Sequence, residues 1–278
     1  MTRVISGVLL AAAALAAIFL LPFVGLRVLA CVVAGLAADE YVRITSAARS
    51  ARTDHFERTG PGRAQRVEGL SRWIVIAAVV FSCWWSAVPA PLSIVLLAIV
   101  VIVWLAFAVL RQSRTLNDAA VDLVAPIYIG APLGMLVALQ TLSGPRATLV
   151  VIATIVVSDT AQYYSGRAFG RRPLAPTISP KKTVEGAIGG VICGALFMAI
   201  ALTFVFPSTP IVVRVLLGLV VVFLGIAGDL FESRLKRVAG MKDSSALIPG
   251  HGGVLDRIDA LLFAIPVFYY MVLQGRVA

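Results

Sequence analysis

Residues 211–237 read IVVRVLLGLVVVFLGIAGDLFESRLKR, an apolar run that ends in acid and then in base. From Ile211 to Ala227 the only charged side chain is Arg214. So apolar a stretch is a membrane helix, because a backbone in lipid must satisfy its own hydrogen bonds. Asp229 closes the span, 211–232, just after Gly225 and Gly228. If the helix continues, Glu232, Ser233, Lys236 and Arg237 follow at i+3, i+4, i+7 and i+8 and share its face. Acid nearest the membrane and base further out suits a metal that bridges phosphates held by lysine and arginine. A helix laced with i,i+4 salt bridges has the same pattern, so the next segment decides between them.

That segment contains Pro249-Gly250-His251-Gly252-Gly253, followed at once by Asp256, Arg257 and Asp259. Glycines allow a sharp turn that brings backbone N–H groups close to phosphate oxygens. Asp256 and Asp259 stand three apart where the span 258–275 begins, on one face if helical. Asp229 and Asp256 are then expected at the same depth on adjacent antiparallel spans, a pair able to coordinate a hard cation. His251 could assist proton transfer or hydrogen-bond the turn, and the second is the expectation, since a phosphate nucleophile already carries its charge near neutral pH and needs little general base.

Composition sets the frame. With 60% hydrophobic and 14% charged residues among 278, and a mean hydropathy of +0.96, the chain is an integral membrane protein. Nine spans are expected: 4–21, 22–42, 73–88, 91–110, 123–142, 147–164, 184–206, 211–232 and 258–275. The fold class is all-α, a polytopic helix bundle, with the first run a membrane helix rather than a cleaved signal. Turns fall at Pro89 and Pro91, at Pro145, and at Pro207 and Pro210, whereas Pro126, Pro132 and Pro266 kink spans. This segmentation leaves Arg27, Arg146, Arg214 and Arg276 on one side and the rest of the 24 basic residues on the other. The N-terminus is therefore expected in the cytoplasm and the C-terminus outside. A net charge of +10 fits that topology and anionic headgroups; no nucleic acid is implied. Residues 43–72, rich in arginine, read as a solvated connector with His55 on its surface. Cys31, Cys83 and Cys193 share no metal-ligand spacing, so neither disulfide nor zinc is expected.

A second unusual stretch runs from Ser158 to Gly190. Asp159 follows an apolar run, at or within the edge of its span. A carboxylate there costs about 2.5–3.5 kcal/mol on insertion scales, which calls for a partner such as a metal or Arg167, in a functional site or a structural ion pair. Further on, Lys181 and Lys182 precede Thr183, a candidate N-cap, with Glu185 in the first turn of the span 184–206. Helix N–H groups with two lysines beside them make an anion site, and topology alone would also place two lysines there.

Ser233-Arg-Leu-Lys-Arg237, Lys242-Asp243 and His251-Gly-Gly-Val-Leu-Asp256-Arg-Ile-Asp259 resemble the signature of the phosphatidate cytidylyltransferase, or CDP-diacylglycerol synthase, family. Ser158-Asp-Thr and Ile178-Ser-Pro-Lys-Lys-Thr-Val-Glu-Gly186 are similar to the same family, so the likeness covers roughly residues 155–262. Gln162 and Arg172 depart from it, where a small residue and a lysine are expected. The first 120 residues fit only in hydropathy.

The resemblance implies that CTP and phosphatidic acid react to CDP-diacylglycerol and diphosphate in phospholipid biosynthesis. Mg²⁺ is the implied cofactor, with a monovalent cation such as K⁺ as a second ion. Asp229 and Asp256 match the family's metal ligands, and Ser233, Lys236 and Arg237 line its polar site. Lys236 and Arg237 are grouped with the two aspartates as catalytic. Asp159, Lys181, Lys182, Thr183, Ser233, Lys242, Asp243, His251, Gly252, Gly253, Arg257 and Asp259 are assigned to substrate binding. The family's fold is a multi-helix membrane bundle that tends to form a homodimer. Expected are an N-terminal membrane region, 1–120, and a catalytic region, 121–278, in the bacterial cytoplasmic (inner) membrane with the site facing the cytoplasm. Two other readings share some of these features: a polyprenol or dolichol-type lipid kinase, and a cation- or proton-coupled transporter, which would need acids near the middle of spans.

Overall fold

A computed structural model describes residues 2–53, 61–86, 116–248 and 252–277, with side chains over 6–50, 72–86, 121–248 and 252–277. The expected span 91–110, the turn at Pro89 and Pro91, and both histidines lie outside the described residues. The elements are α1 (Thr2–Leu20), α2 (Phe23–Thr53), α3 (Pro61–Ser86), α4 (Leu116–Ala125), a π-helical turn (Pro126–Gly130), α5 (Ala131–Phe169), β1 (Pro173–Ala175), β2 (Ser179–Thr183), α6 (Val184–Val205), α7 (Ile211–Val238) and α8 (Leu255–Leu273). The chain groups into two compact units. One holds Met1–Gly7, Pro22–Ala138 and Leu235–Asp256, and the other Val8–Leu21, Leu139–Arg234 and Arg257–Ala278.

Among the described residues, three helical stretches are long and apolar enough to cross a membrane: Val121–Phe169, Val184–Val205 and Ile211–Val238. The first is broken at Gly144, whose φ of 77° and ψ of 178° interrupt the helix immediately before Pro145. The turn expected at Pro145 is therefore made by the glycine ahead of it, which can adopt the φ that a residue with a Cβ resists. Pro126 opens the π-helical turn, and Pro132 is the second residue of α5. Neither breaks the chain. The three cysteines are free, as expected.

Part of the arginine-rich stretch 43–72 is helical: α2 continues through Thr53, and α3 begins at Pro61. Nothing between Arg43 and Thr53 is glycine or proline, and proline is well placed in a first helical turn. The arginines there are also partly engaged, Arg43 Nη2 lying 2.7 Å from Asp39 and Arg49 pairing with buried Asp122. The fold is helical in class, as expected, and β1 and β2 add one short antiparallel hairpin with Pro173 opposite Thr183 and Ala175 opposite Ser179.

In the first unit, α2 packs on α3 around Ala34, Ala37, Ala38, Tyr41, Val75 and Val79, all buried. The Tyr41 hydroxyl donates to Val121 O at 2.8 Å. In the second unit, α5 and α6 approach closely along small residues. A Cβ on Gly186, Gly190 or Gly194 would press on Gln162 O, the Gln162 side chain and Ser158 respectively, at 2.8, 2.3 and 3.0 Å. These glycines repeat every four residues and so form one face, the small-residue packing that draws membrane helices together. On α6 a second series, Ile188, Ile192, Leu196, Ile200 and Phe204, is exposed. A helix with a glycine seam on one side and an apolar stripe on another is suited to contact protein and lipid at once.

Candidate active site

The hairpin places Lys182. On β2 Lys181 is exposed and Lys182 half-buried, neighbouring strand side chains pointing to opposite faces. The Lys182 ammonium pairs with Asp229 Oδ2 on α7. Ser233, one turn further along α7, has its hydroxyl 3.4 Å from Asp229 Oδ1. Asp229 lies where α7 and α8 nearly touch, because Gly228 leaves no room for a side chain against Asp259 O, which a Cβ would approach to 2.6 Å.

Thr183 is the N-cap of α6, its hydroxyl accepting from Gly186 N at 3.1 Å. Glu185, in the first turn, turns back to accept from the backbone N–H groups of Arg171 and Arg172, at 3.0 and 3.2 Å, and so ties down the hairpin's entry. Asp159 does not find Arg167. It accepts from Gln162 Nε2 at 2.9 Å, and the charges acting on it are those of Asp229, Lys182 and Arg257. Gln162, a departure from the family pattern, is thus the hydrogen-bond partner of one candidate site carboxylate. Asp159, Lys182, Asp229 and Arg257 form one electrostatic cluster in the second unit.

A second cluster belongs to the first unit. Lys236 is buried and donates to Asp256 Oδ1 at 2.5 Å. Asp256 Oδ2 faces Ser244 N at 3.0 Å, Ser244 Oγ at 2.9 Å and Gly253 N at 2.8 Å. The glycine turn therefore aims an N–H at the protein's own aspartate, where the sequence pointed to phosphate. Gly252 has φ 79° and accepts from Ile248 N at 2.9 Å. Lys242 and Asp243 are exposed in the same loop, and Arg237, also exposed, donates to Met241 O at 3.2 Å across the end of α7. Arg257 is exposed and Asp259 buried in the first turns of α8, with Asp259 Oδ1 accepting from Ala260 N at 2.7 Å. Glu232, on α7, is fully buried.

Sequence reading passed over Glu40. This carboxylate, 3% exposed, accepts from Ser244, Ser245, Val254 and Leu255 in the loop leading to Asp256. Its position inside an apolar segment was the available signal, because ionisable groups there are costly unless they have work to do.

Asp229 and Asp256 each hold a lysine ammonium against a carboxylate oxygen, so each site already accommodates positive charge. Among the described residues no three His, Cys, Asp or Glu side chains gather tightly enough for an all-protein metal cage. One or two carboxylates completed by water and phosphate oxygens are the donors Mg²⁺ commonly takes, and the residues present fit that ion.

A profile of the Cytidylyltransferase family matches residues 1–274. The phosphatidate cytidylyltransferase of Aquifex aeolicus is 47% identical over 128 residues, 46% of this chain and 48% of that protein. The Haemophilus influenzae protein of the same name is 46% identical over 129 residues, 44% of either chain. The Staphylococcus saprophyticus one is 36% identical over 172 residues, 61% of this chain and 65% of its own length. The matched stretches thus span about half to two thirds of these relatives.

Proposed function

The chain belongs to the cytidylyltransferase family, and from that membership we propose that it transfers the cytidylyl group of CTP to phosphatidate. The products are CDP-diacylglycerol and diphosphate. A phosphatidate oxygen attacks the α-phosphorus of CTP in line, and the bond from that phosphorus to the departing diphosphate breaks. The nucleophile is already anionic, so no side chain need remove a proton. Support comes from relatives that carry the name phosphatidate cytidylyltransferase and, above all, from two Lys–Asp pairs at the residues that carry the family resemblance.

The chief barrier is the approach of two polyanions. Asp229 and Asp256 would hold Mg²⁺, which when bound supplies Lewis-acid neutralisation of phosphate charge. Lys182 and Lys236, each sharing a carboxylate here, are the groups best placed to exchange that partner for a phosphate oxygen. Exposed Lys181, Lys242, Arg237 and Arg257 add positive charge that attracts both substrates. Thr183, Ser233, Asp243, Asp259 and the Gly252-Gly253 turn belong to the substrate-binding frame, Asp159 holds positive charge beside it, and a monovalent ion such as K⁺ is the second cation. His251, assigned to the same frame, lies outside the described residues.

The same reading puts the protein in the bacterial cytoplasmic membrane with nine spans, N-terminus inside and C-terminus outside, and the reaction at the cytoplasmic face, in keeping with the asymmetry of its basic residues. Residues 1–120 form the N-terminal membrane region and 121–278 the catalytic one, in a homodimer. Incubation with phosphatidate and γ-labelled CTP tests the reaction class. Label released as diphosphate supports cytidylyl transfer, whereas label entering lipid means a kinase and contradicts it.

A further inference from the structure

Glu40 lies in α2, in the N-terminal region, yet its side chain accepts hydrogen bonds from residues some 200 positions later. Oε1 accepts from Ser245 Oγ at 2.6 Å and Val254 N at 3.0 Å. Oε2 accepts from Leu255 N at 2.8 Å and faces Ser244 Oγ at 2.9 Å. Leu255 is the first residue of α8, so two of these donors are N–H groups at a helix start that lack a partner within their own helix. Negative charge is also favoured there by the helix dipole.

Ser244 links this carboxylate to the candidate site. Its hydroxyl stands 2.9 Å from both Glu40 Oε2 and Asp256 Oδ2, and its one hydrogen can go to only one of them at a time. Gly253 is packed beneath the same oxygens: a Cβ there would meet Ser244 Oγ at 1.9 Å and Glu40 Oε2 at 2.4 Å. Every group around Glu40 in this set is a donor, which a carboxylate can satisfy and an amide cannot.

We propose that Glu40 is a positioning residue for the transfer reaction, fixing the start of α8 and the 244–245 turn so that Asp256 is held in its working orientation. This role rests on the part in the reaction proposed for Asp256. It gives an N-terminal helix a direct hand in shaping the site.

The test compares full-length wild type, Glu40→Gln and Tyr41→Phe, purified in detergent. Glu40→Gln preserves size but turns an amide NH₂ toward donors. Tyr41→Phe, in the same helix as Glu40, removes the bond to Val121 O on α4 and makes no change among the partners of Glu40. Amide hydrogen exchange over residues 252–256 should accelerate about tenfold in Glu40→Gln, and kcat per folded molecule should fall about 10–100-fold, as for other outer partners of site ligands. KM values should stay within about twofold, and Tyr41→Phe should keep both exchange and kcat. Unchanged exchange in Glu40→Gln overturns the anchoring. Faster exchange with wild-type kcat overturns the positioning role and leaves a structural one. Exchange needs no substrate, so a wild type that makes no CDP-lipid, with the exchange difference present, defeats the proposed reaction while the anchoring of Asp256 stands.

Discussion

Lys236 Nζ stands 2.5 Å from Asp256 Oδ1, with the two side chains 11% and 7% exposed. A lysine near the end of α7 and an aspartate at the start of α8 thus neutralise each other out of bulk solvent. Removing one partner leaves a charge with little water to stabilise it. Lys236→Met should destabilise the protein by about 3–5 kcal/mol, and Lys236→Met with Asp256→Asn should recover part of the loss. Thermal unfolding in detergent reads both. A single variant as stable as wild type would show that the pair carries no such coupling.

Asp229 is more accessible than Asp256, its side chain 26% exposed beside Lys182. Its loss should therefore spare folding and remove function. Asp229→Asn should reach the membrane at wild-type levels and lose at least about a hundredfold in CTP-dependent lipid labelling. Activity near that of wild type would remove the role assigned to this carboxylate.

Two glycines in one region separate crowding from backbone strain. Gly253→Ala places a methyl group against Ser244 Oγ and Glu40 Oε2, and overpacking of this kind costs about 1–3 kcal/mol. At Gly240, with φ 68°, a Cβ would meet nothing within 4 Å. Gly240→Ala should cost about 1–2 kcal/mol through left-handed strain alone. Activity per folded molecule should drop for Gly253→Ala and hold for Gly240→Ala. Equal activity losses would contradict the distinction.

The glycine seam of α6 carries its own consequence. Gly186→Ala would bring a Cβ to 2.8 Å from Gln162 O and 2.9 Å from the capping hydroxyl of Thr183. Both are fixed atoms, so the start of α6 must shift, and with it the hairpin that carries Lys182. A loss of about 1–3 kcal/mol in unfolding, with a larger drop in activity than Gly240→Ala, is expected from melting curves and lipid labelling.

Much of this was legible because it is local. The span 211–232 continues as a helix through Arg237, the condition on which the charged residues share a face, and Thr183 caps α6 through the expected hydroxyl. The break beside Pro145 was readable from proline chemistry, although Gly144 performs it. What escaped depends on distant partners. Nothing near Glu40 in sequence announces Leu255, and nothing in Lys181-Lys182 says which lysine meets Asp229 until a strand separates their directions. The hairpin itself is short, polar and rich in proline, with too few residues for a period-two pattern to emerge.

The most direct measurement is the transfer of label from α-³²P-CTP into lipid by the purified protein, with and without phosphatidate and Mg²⁺. Label should enter a CDP-lipid only when both are present, with diphosphate released in equal amount. Lipid labelling independent of phosphatidate, or none at all with the folded wild-type protein, would contradict cytidylyl transfer to phosphatidate.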